Sequence, residues 1–524
     1  MMNNITVLLL LLLPSSLFSQ LIPPTIQWQK CFGGFGSDHA NCIIQTSDGG
    51  YVVAGQTQSN DGNVSGYHGV GDYWIVKVDS IGSIDWQKCL GGTNTDAANS
   101  IQQTFDGGYI ISGSSGSNDG DVSGNNGASD YWIVKLDSIG NVQWQKSLGG
   151  TANDIANSIQ QTNDSGYIVV GSSVSNDGDV TINHGDNDYW VVKLDQIGNI
   201  QWEKSFGGSQ TDQAKSVTQT IDGGFIVAGH SISQDGNVTG NNGGSDFWIV
   251  KLDNFGSIQW EKSLGGTLNS LNSDVATSIK QTADGGYIVG GYCGSNGGDI
   301  TGYHVSVGFG DGDYWIVKLD STGNIQWQKC FGGTSNDQSN SIQLTHDGGY
   351  VIAGFTASND GDVTGNHGGT DYWFVKLNSN GIMQWQKCLG GTGDDVALSI
   401  EETTDNGYII AGETFSYDGD VTGWFNHYDY WIVKLSPDTT VGIEEIKKIN
   451  FSITPSIATD CIYIDWQKNK NLNGTYNIFD TQGRLCKTGL INNNKISVSD
   501  LSAQFYFIQL VTLDGLGVRK FIKE

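Results

Sequence analysis

One spacing of oxygen-bearing side chains recurs along this chain and would suit a hard cation. Asp119, Asp121, Ser123, Gly124 and Asp130 stand at relative positions 1, 3, 5, 6 and 12 of a loop. Alternating oxygens on a tightly bent loop can converge on calcium, which takes six to eight oxygen ligands, with glycine at the bend and a carboxylate at the end. The spacing returns as Asp61, Asn63, Ser65, Gly66 and Asp72; as Asp235, Asn237, Thr239, Gly240 and Asp246; as Asp360, Asp362, Thr364, Gly365 and Asp371; and as Asp418, Asp420, Thr422, Gly423 and Asp429. A further copy keeps Asp177, Asp179, Thr181 and Asp188 with Ile182 in place of glycine, and another, beginning at Gly297, loses the pattern. The same residue types also build Asx turns, in which carboxylates accept nearby N–H groups. Calcium loops and turn scaffolding are both compatible with the residues.

A second group stands out because it departs from its repeat. One loop position reads Tyr67, Asn125, Asn183, Asn241, Tyr303, Asn366 and Trp424. If the first and last copies are neighbours, Tyr67 and Trp424, with Phe425 and Tyr428, are expected to form an exposed aromatic platform suited to sugars or protein partners. The next position carries His68, His184, His304 and His367. These are read as turn residues that tolerate left-handed backbone before glycine, in preference to metal ligands. Asp394 beside Asp395 and Asp311 near Asp313 are the unusual carboxylate pairs, and no Gly-x-Ser-x-Gly, His-Glu-x-x-His or phosphate-loop motif occurs.

These loops belong to a unit of about 58 residues. Tryptophan recurs at Trp28, Trp86, Trp144, Trp202, Trp260, Trp327 and Trp385 within Gln-Trp-(Gln/Glu)-Lys, and again at Trp74, Trp132, Trp190, Trp248, Trp315, Trp373 and Trp431 within Asp-(Tyr/Phe)-Trp. Each unit holds four short stretches rich in β-branched and aromatic residues, with Asp-Gly-Gly and Ile-Gly-Asn turns between them. The chain opens on an isolated Gln-Trp stretch at Trp28 and the array ends on an Asp-Tyr-Trp stretch at Trp431, so the last unit lacks a fourth strand that the first stretch can supply. That is how a β-propeller closes without exposed sheet edges. The expectation is an all-β, seven-bladed β-propeller over 20–435, closed by an N-terminal strand, a linker at 436–449, and a small C-terminal β-sandwich over 450–524. Both long loops of each unit should emerge on one face, where binding chemistry would gather.

Residues 1–19 read as a signal peptide, with an apolar run from Val7 to Leu13 and cleavage after Ser19. That run is too short to span a bilayer, and no other segment is apolar enough. The net charge is −29, and the tail from residue 436 holds ten of the 26 Lys and Arg residues, so the repeats carry the acidity. Fourteen of their sixteen lysines sit at two repeated strand positions, which leaves no basic patch and argues against nucleic acid as a partner. Cysteine pairing is open, with Cys31–Cys42 and Cys461–Cys486 as admissible pairs in an oxidising compartment.

The tail resembles the C-terminal sorting domain of the type IX secretion system of Bacteroidetes, through Tyr476-Asn-Ile-Phe-Asp480, Gly483-Arg484-Leu485, Lys487-Thr-Gly489, Val498-Ser-Asp-Leu-Ser502, Tyr506-Phe507 and Lys520-Phe-Ile-Lys523. It departs from that family at Pro455-Ser456-Ile457 and at Gln504. The resemblance implies a β-sandwich that engages the type IX machinery and leaves the propeller working outside the cell, secreted or on the outer surface. The repeats are also similar to uncharacterised secreted propeller repeats built on Asp-Gly-Gly-Tyr and Asp-Tyr-Trp, which implies a fold and no activity. The expected function is a non-catalytic propeller that binds an extracellular glycan or protein through its long-loop face. A propeller glycoside hydrolase or lyase and a purely structural surface protein are the alternatives.

Overall fold

Each repeat folds into a four-stranded antiparallel sheet whose strands pair in chain order, as in Asp96–Gln103, Tyr109–Ser115, Asp130–Leu136 and Val142–Leu148. These are the inner, second, third and outer strands of a blade. The structure, a computed structural model, describes residues 21–524 except 268–272, 295, 305–311, 441–448, 467–473, 492–493 and 513–514. The signal-peptide stretch and Asp311 lie outside the described residues. There are seven such sheets, and in the last one Asp395–Glu402, Tyr408–Thr414 and Asp429–Leu435 take Ile26–Phe32 as their outer strand. Trp28 pairs with Lys434 and Cys31 with Trp431, the register expected of ring closure. The fold is the seven-bladed propeller, and it occupies 22–439 as one unit, with 440–524 in another.

Third strands such as Asp130–Leu136 are buried along their whole length, because each is covered by a blade on either side. Their tryptophans are 0–1% exposed. Blades are joined by a repeated pair of contacts. The Tyr73 hydroxyl donates to the Trp132 carbonyl of the next blade at 2.8 Å, and the Trp86 ring meets Tyr109 edge-on at 5.9 Å. The seam between the last and first blades is made the same way, by Tyr430 on the Trp74 carbonyl at 2.9 Å and Trp28 against Tyr51 at 5.8 Å. Each third strand also buries a lysine whose ammonium reaches an aspartate of the inner hairpin turn, as Lys135 does to Asp106 at 3.0 Å.

Every inner strand bulges once, between Ala98 and Ser100 in the second blade, and the second strand meets the bulge with a glycine. A Cβ on Gly113 would lie 2.0 Å from the Ala97 carbonyl oxygen, which is backbone and cannot move aside. Gly113→Ala is expected to cost at least about 2 kcal/mol, read as a lower midpoint in urea.

The inner strands line a central channel, and neighbours are stitched to one another around it. Asn41, Asn99 and Asn157 each donate a side-chain N–H to the backbone of the next inner strand, at Ala98, Ala156 and Ala214, at 2.7–2.8 Å. All eight cysteines are unpaired, which corrects both admissible disulfides. The Cys42 thiol faces the Ile101 carbonyl of the next inner strand at 3.8 Å, while Cys31 sits at the buried end of the closing strand. Cys461 and Cys486 stand in two different sheets.

The C-terminal unit contains a three-stranded and a five-stranded sheet that share a core including Phe451, Ile464, Ile478, Tyr506, Leu510 and Phe521. That is the expected small β-sandwich.

Candidate functional site

The long loops gather on one face, and their acidic residues organise the backbone there. The first aspartate of each loop accepts an N–H from the Gly-Gly loop leading into its own blade: Asp61 from Phe35, Asp119 from Thr93, Asp177 from Thr151, Asp235 from Ser209, Asp360 from Thr334 and Asp418 from Thr392, at 2.6–2.8 Å. The third residue, Asn63, Asp121, Asp179, Asn237, Asp362 or Asp420, accepts the N–H of the first glycine of that loop at 3.2–3.4 Å. The last aspartate, Asp72, Asp130, Asp188, Asp246, Asp371 or Asp429, accepts the N–H four residues earlier at 2.6–2.9 Å. Gly66, Gly124, Gly240, Gly365 and Gly423 take the positive φ that the bend needs.

Oxygens that would have to converge on calcium are thus spread over separate backbone donors. Among the described residues, no three His, Cys, Asp or Glu side chains are grouped to hold a metal ion. As folded, these carboxylates act as acceptors that fix the turns. Chelator and added calcium are therefore expected to leave the melting temperature unchanged. A saturable rise with calcium that disappears in Asp119→Ala, Asp121→Ala and their equivalents would place the ion in the loops.

The histidines serve the same scaffold by a different route from the one expected. His68, His184, His304 and His367 do not take left-handed backbone; their Nδ1 atoms lie 2.6–2.9 Å from the buried carboxylates of Asp72, Asp188, Asp313 and Asp371.

The other oxygen of each of these strand-initial aspartates is buried without a hydrogen bond, in all seven blades. It points at the carboxylate that opens the next inner strand, across a glycine: a Cβ on Gly149 would lie 2.7 Å from Asp130 Oδ1 and 2.5 Å from Asp154 Oδ2. Burial pushes Asp130 and Asp371 up to about 6 and Asp246 and Asp429 up to about 7.

The blade-seven loop breaks the pattern. Trp424 packs against Phe415 at 5.9 Å and Tyr417 at 6.0 Å, and Phe415 meets Tyr428 at 5.2 Å. The Trp424 indole N–H donates to the His427 carbonyl at 2.6 Å, so its own loop holds the polar edge. Tyr417 is 71% exposed, Phe415 41% and Phe425 37%, well above what a packed core tolerates. Behind them, Tyr428 lies 5.7 Å from the His39 ring, and His39 Nδ1 is hydrogen-bonded to Glu413. Burial disfavours a charged His39, but the Glu413 carboxylate outweighs it and raises the imidazole above its usual value. Asp394 borders the same edge, accepting from the Thr370 N–H at 3.0 Å.

Of the aromatic residues singled out by sequence, Trp424 and Tyr428 come together and Phe425 lies exposed on the same loop. Tyr67 is half-buried and outside the grouped rings, and Tyr303 packs on the hydrophobic cluster of the fifth blade. Phe415, Tyr417, His39 and Glu413 were not anticipated. Tyr417 carried a readable signal, since the other copies have Asn60, Asn118, Asn176, Gln234, Asn296 and Asn359 at that position.

The tail supplies the cellular address. Residues 452–524 match the secretion system C-terminal sorting domain. This chain carries a type IX sorting domain. The sorting domain directs it to the cell surface or the extracellular space. A curated relative, the regulatory protein FlaEY of Caulobacter vibrioides, is 25% identical over 231 residues, spanning 40% of this chain and 23% of that protein. The chain therefore spans less than a quarter of that relative's length. Among solved structures, PorZ, a surface component of the type IX secretion system of Porphyromonas gingivalis, is 12% identical with a TM-score of 0.38, covering 91% of this chain and 58% of PorZ. Sqt1 from Chaetomium thermophilum is 10% identical with a TM-score of 0.38, covering 79% of this chain and all of Sqt1. The blade assignment stands on the sheets themselves.

Proposed function

We propose that this is a secreted, non-catalytic propeller that binds an extracellular glycan on the aromatic cluster of its seventh blade. The observation that carries this reading is the packing of the half-buried Trp424 ring against the exposed rings of Phe415 and Tyr417, in a loop where the position of Tyr417 is Asn or Gln in every other copy. Sugar rings stack on such faces through their C–H surfaces, and the rim of Glu413, His39 and Asp394 offers polar partners for hydroxyl groups. Among the described residues, no long loop of another blade groups three aromatic rings in this way.

Retardation of the full chain in gels cast with soluble polysaccharides tests this. At least one glycan is expected to retard the wild type, and Trp424→Ala or Tyr417→Ala should each weaken retardation about tenfold, the loss of one stacked ring. Retardation that survives both substitutions moves the site elsewhere, and turnover of the retarding glycan would replace binding by catalysis.

A further inference from the structure

The channel carries two charges that the repeat does not explain. Its narrow stretch is a cavity of about 420 Å³, within the ~300–1,000 Å³ of small-molecule sites, lined by residues of all seven inner strands. One position facing it reads Ile44, Gln102, Gln160, Thr218, Lys280, Gln343 and Glu401 around the ring. Gln102 and Gln160 line it and accept the backbone N–H of Gln161 and Gln219 through their side-chain oxygens. Glu401 likewise accepts the Gln45 N–H through one oxygen and keeps the other. Lys280 makes no hydrogen bond, and no ion pair within 4.0 Å, among the described residues. It is one of only two propeller lysines outside the repeated positions; the other, Lys215, also lies on an inner strand. Burial holds Lys280 below its ordinary value and pushes Glu401 up to about 6, so each charge is held at a cost that a bound counter-charge would remove.

We propose that the channel binds a small zwitterion, a molecule with a carboxylate and an amine, with its carboxylate on Lys280 and its amine on Glu401. The lysine and the glutamate feel one another electrostatically yet stand too far apart for a direct pair, which leaves each facing the space between them. A neutral sugar would use the amides but neither charge, and so does not account for their placement. This site is independent of the aromatic cluster.

The test is a thermal-shift titration of the full chain with the ω-amino acids from glycine to 6-aminohexanoate, run beside acetate, pentanoate and pentylamine. One chain length is expected to raise the melting temperature saturably, with the singly charged compounds binding about tenfold more weakly or worse. Lys280→Met should abolish the shift, and Glu401→Gln should reduce it to that of a simple carboxylate. Both variants are first melted without ligand, and if Lys280→Met fails to fold, Lys280→Gln replaces it. No saturable shift with any ω-amino acid, an equal shift with pentanoate, or a shift that persists without the Lys280 ammonium would overturn the proposal.

Discussion

The propeller is expected to melt at its highest temperature at about pH 4–5 and to lose stability as the pH rises toward 8. The cause is the ring of buried carboxylate pairs between blades. Folded Asp130, Asp313 and Asp371 hold their protons to about pH 6, and Asp246 and Asp429 to about 7, with burial the first cause in each. The unfolded chain releases the same protons near pH 4. Between those limits the folded state binds more protons, so stability falls as pH rises through the window. Each tenfold change in proton affinity is worth about 1.4 kcal/mol, so the set contributes on the order of several kcal/mol. The hairpin aspartates act in the opposite direction. Burial works against the charge on Asp48 and Asp347, but hydrogen bonds from a threonine, a glycine N–H and a buried lysine hold both down to about 2, so their contribution is lost only as pH falls from about 4 toward 2. A maximum between the windows follows, more acidic than the pH 5–8 usual for proteins. Asp246→Asn and Asp429→Asn are expected to raise the melting temperature at pH 7.5 and flatten the slope, since an amide can donate to the facing carboxylate. A melting temperature that is level or rises between pH 4.5 and 7.5 would contradict the paired arrangement.

Trp431→Ala is expected to destabilise the propeller by about 3–5 kcal/mol, whereas Trp424→Ala, seven residues away, should cost less than about 1 kcal/mol. Trp431 is fully buried in the third strand of the seventh blade. Its indole N–H donates to Gln29 of the closing strand at 2.9 Å, and its carbonyl accepts the Tyr372 hydroxyl of the preceding blade at 3.0 Å. Truncation leaves a cavity that two rigid sheets cannot collapse into, and strands the Gln29 side chain where the ring is fastened. Trp424 is half-buried, and its ring contacts are with the exposed Phe415 and Tyr417 of its own loop. Denaturant unfolding of the two variants separates them; equal costs would mean that the surface aromatics are part of the core.

The repeat made the fold legible because a propeller writes the same packing problem seven times. Tryptophans at a fixed spacing mark the third and outer strands, and an orphan Gln-Trp stretch at one end opposite an incomplete unit at the other leaves little choice but closure. Side-chain direction was not legible. The spacing of Asp119, Asp121 and Asp130 matches a calcium loop, but the partners that claim their oxygens, Thr93, Gly91 and Asn126, include a segment about 26–30 residues earlier. Nor does spacing reveal that Asp130 faces Asp154 over Gly149, since that meeting is made by two blades. The site was half legible for the same reason. Trp424 and Tyr428 show as departures late in one loop, whereas Phe415 and Tyr417 stand at its start, just after the strand Tyr408–Thr414, and His39 comes from the inner strand of the first blade. Tyr67 shares the ring position of Trp424 but makes no ring contact with it among the described residues.

The most direct test of glycan binding at blade seven is oxidative footprinting of the full chain, read residue by residue by mass spectrometry, with and without a polysaccharide that retards it. Trp424 and Tyr417 should be labelled in the free protein and protected by the glycan, while labelling of Tyr67 and Tyr303 stays unchanged. Binding with no protection of Trp424 and Tyr417, or protection confined to another blade, would contradict the assignment.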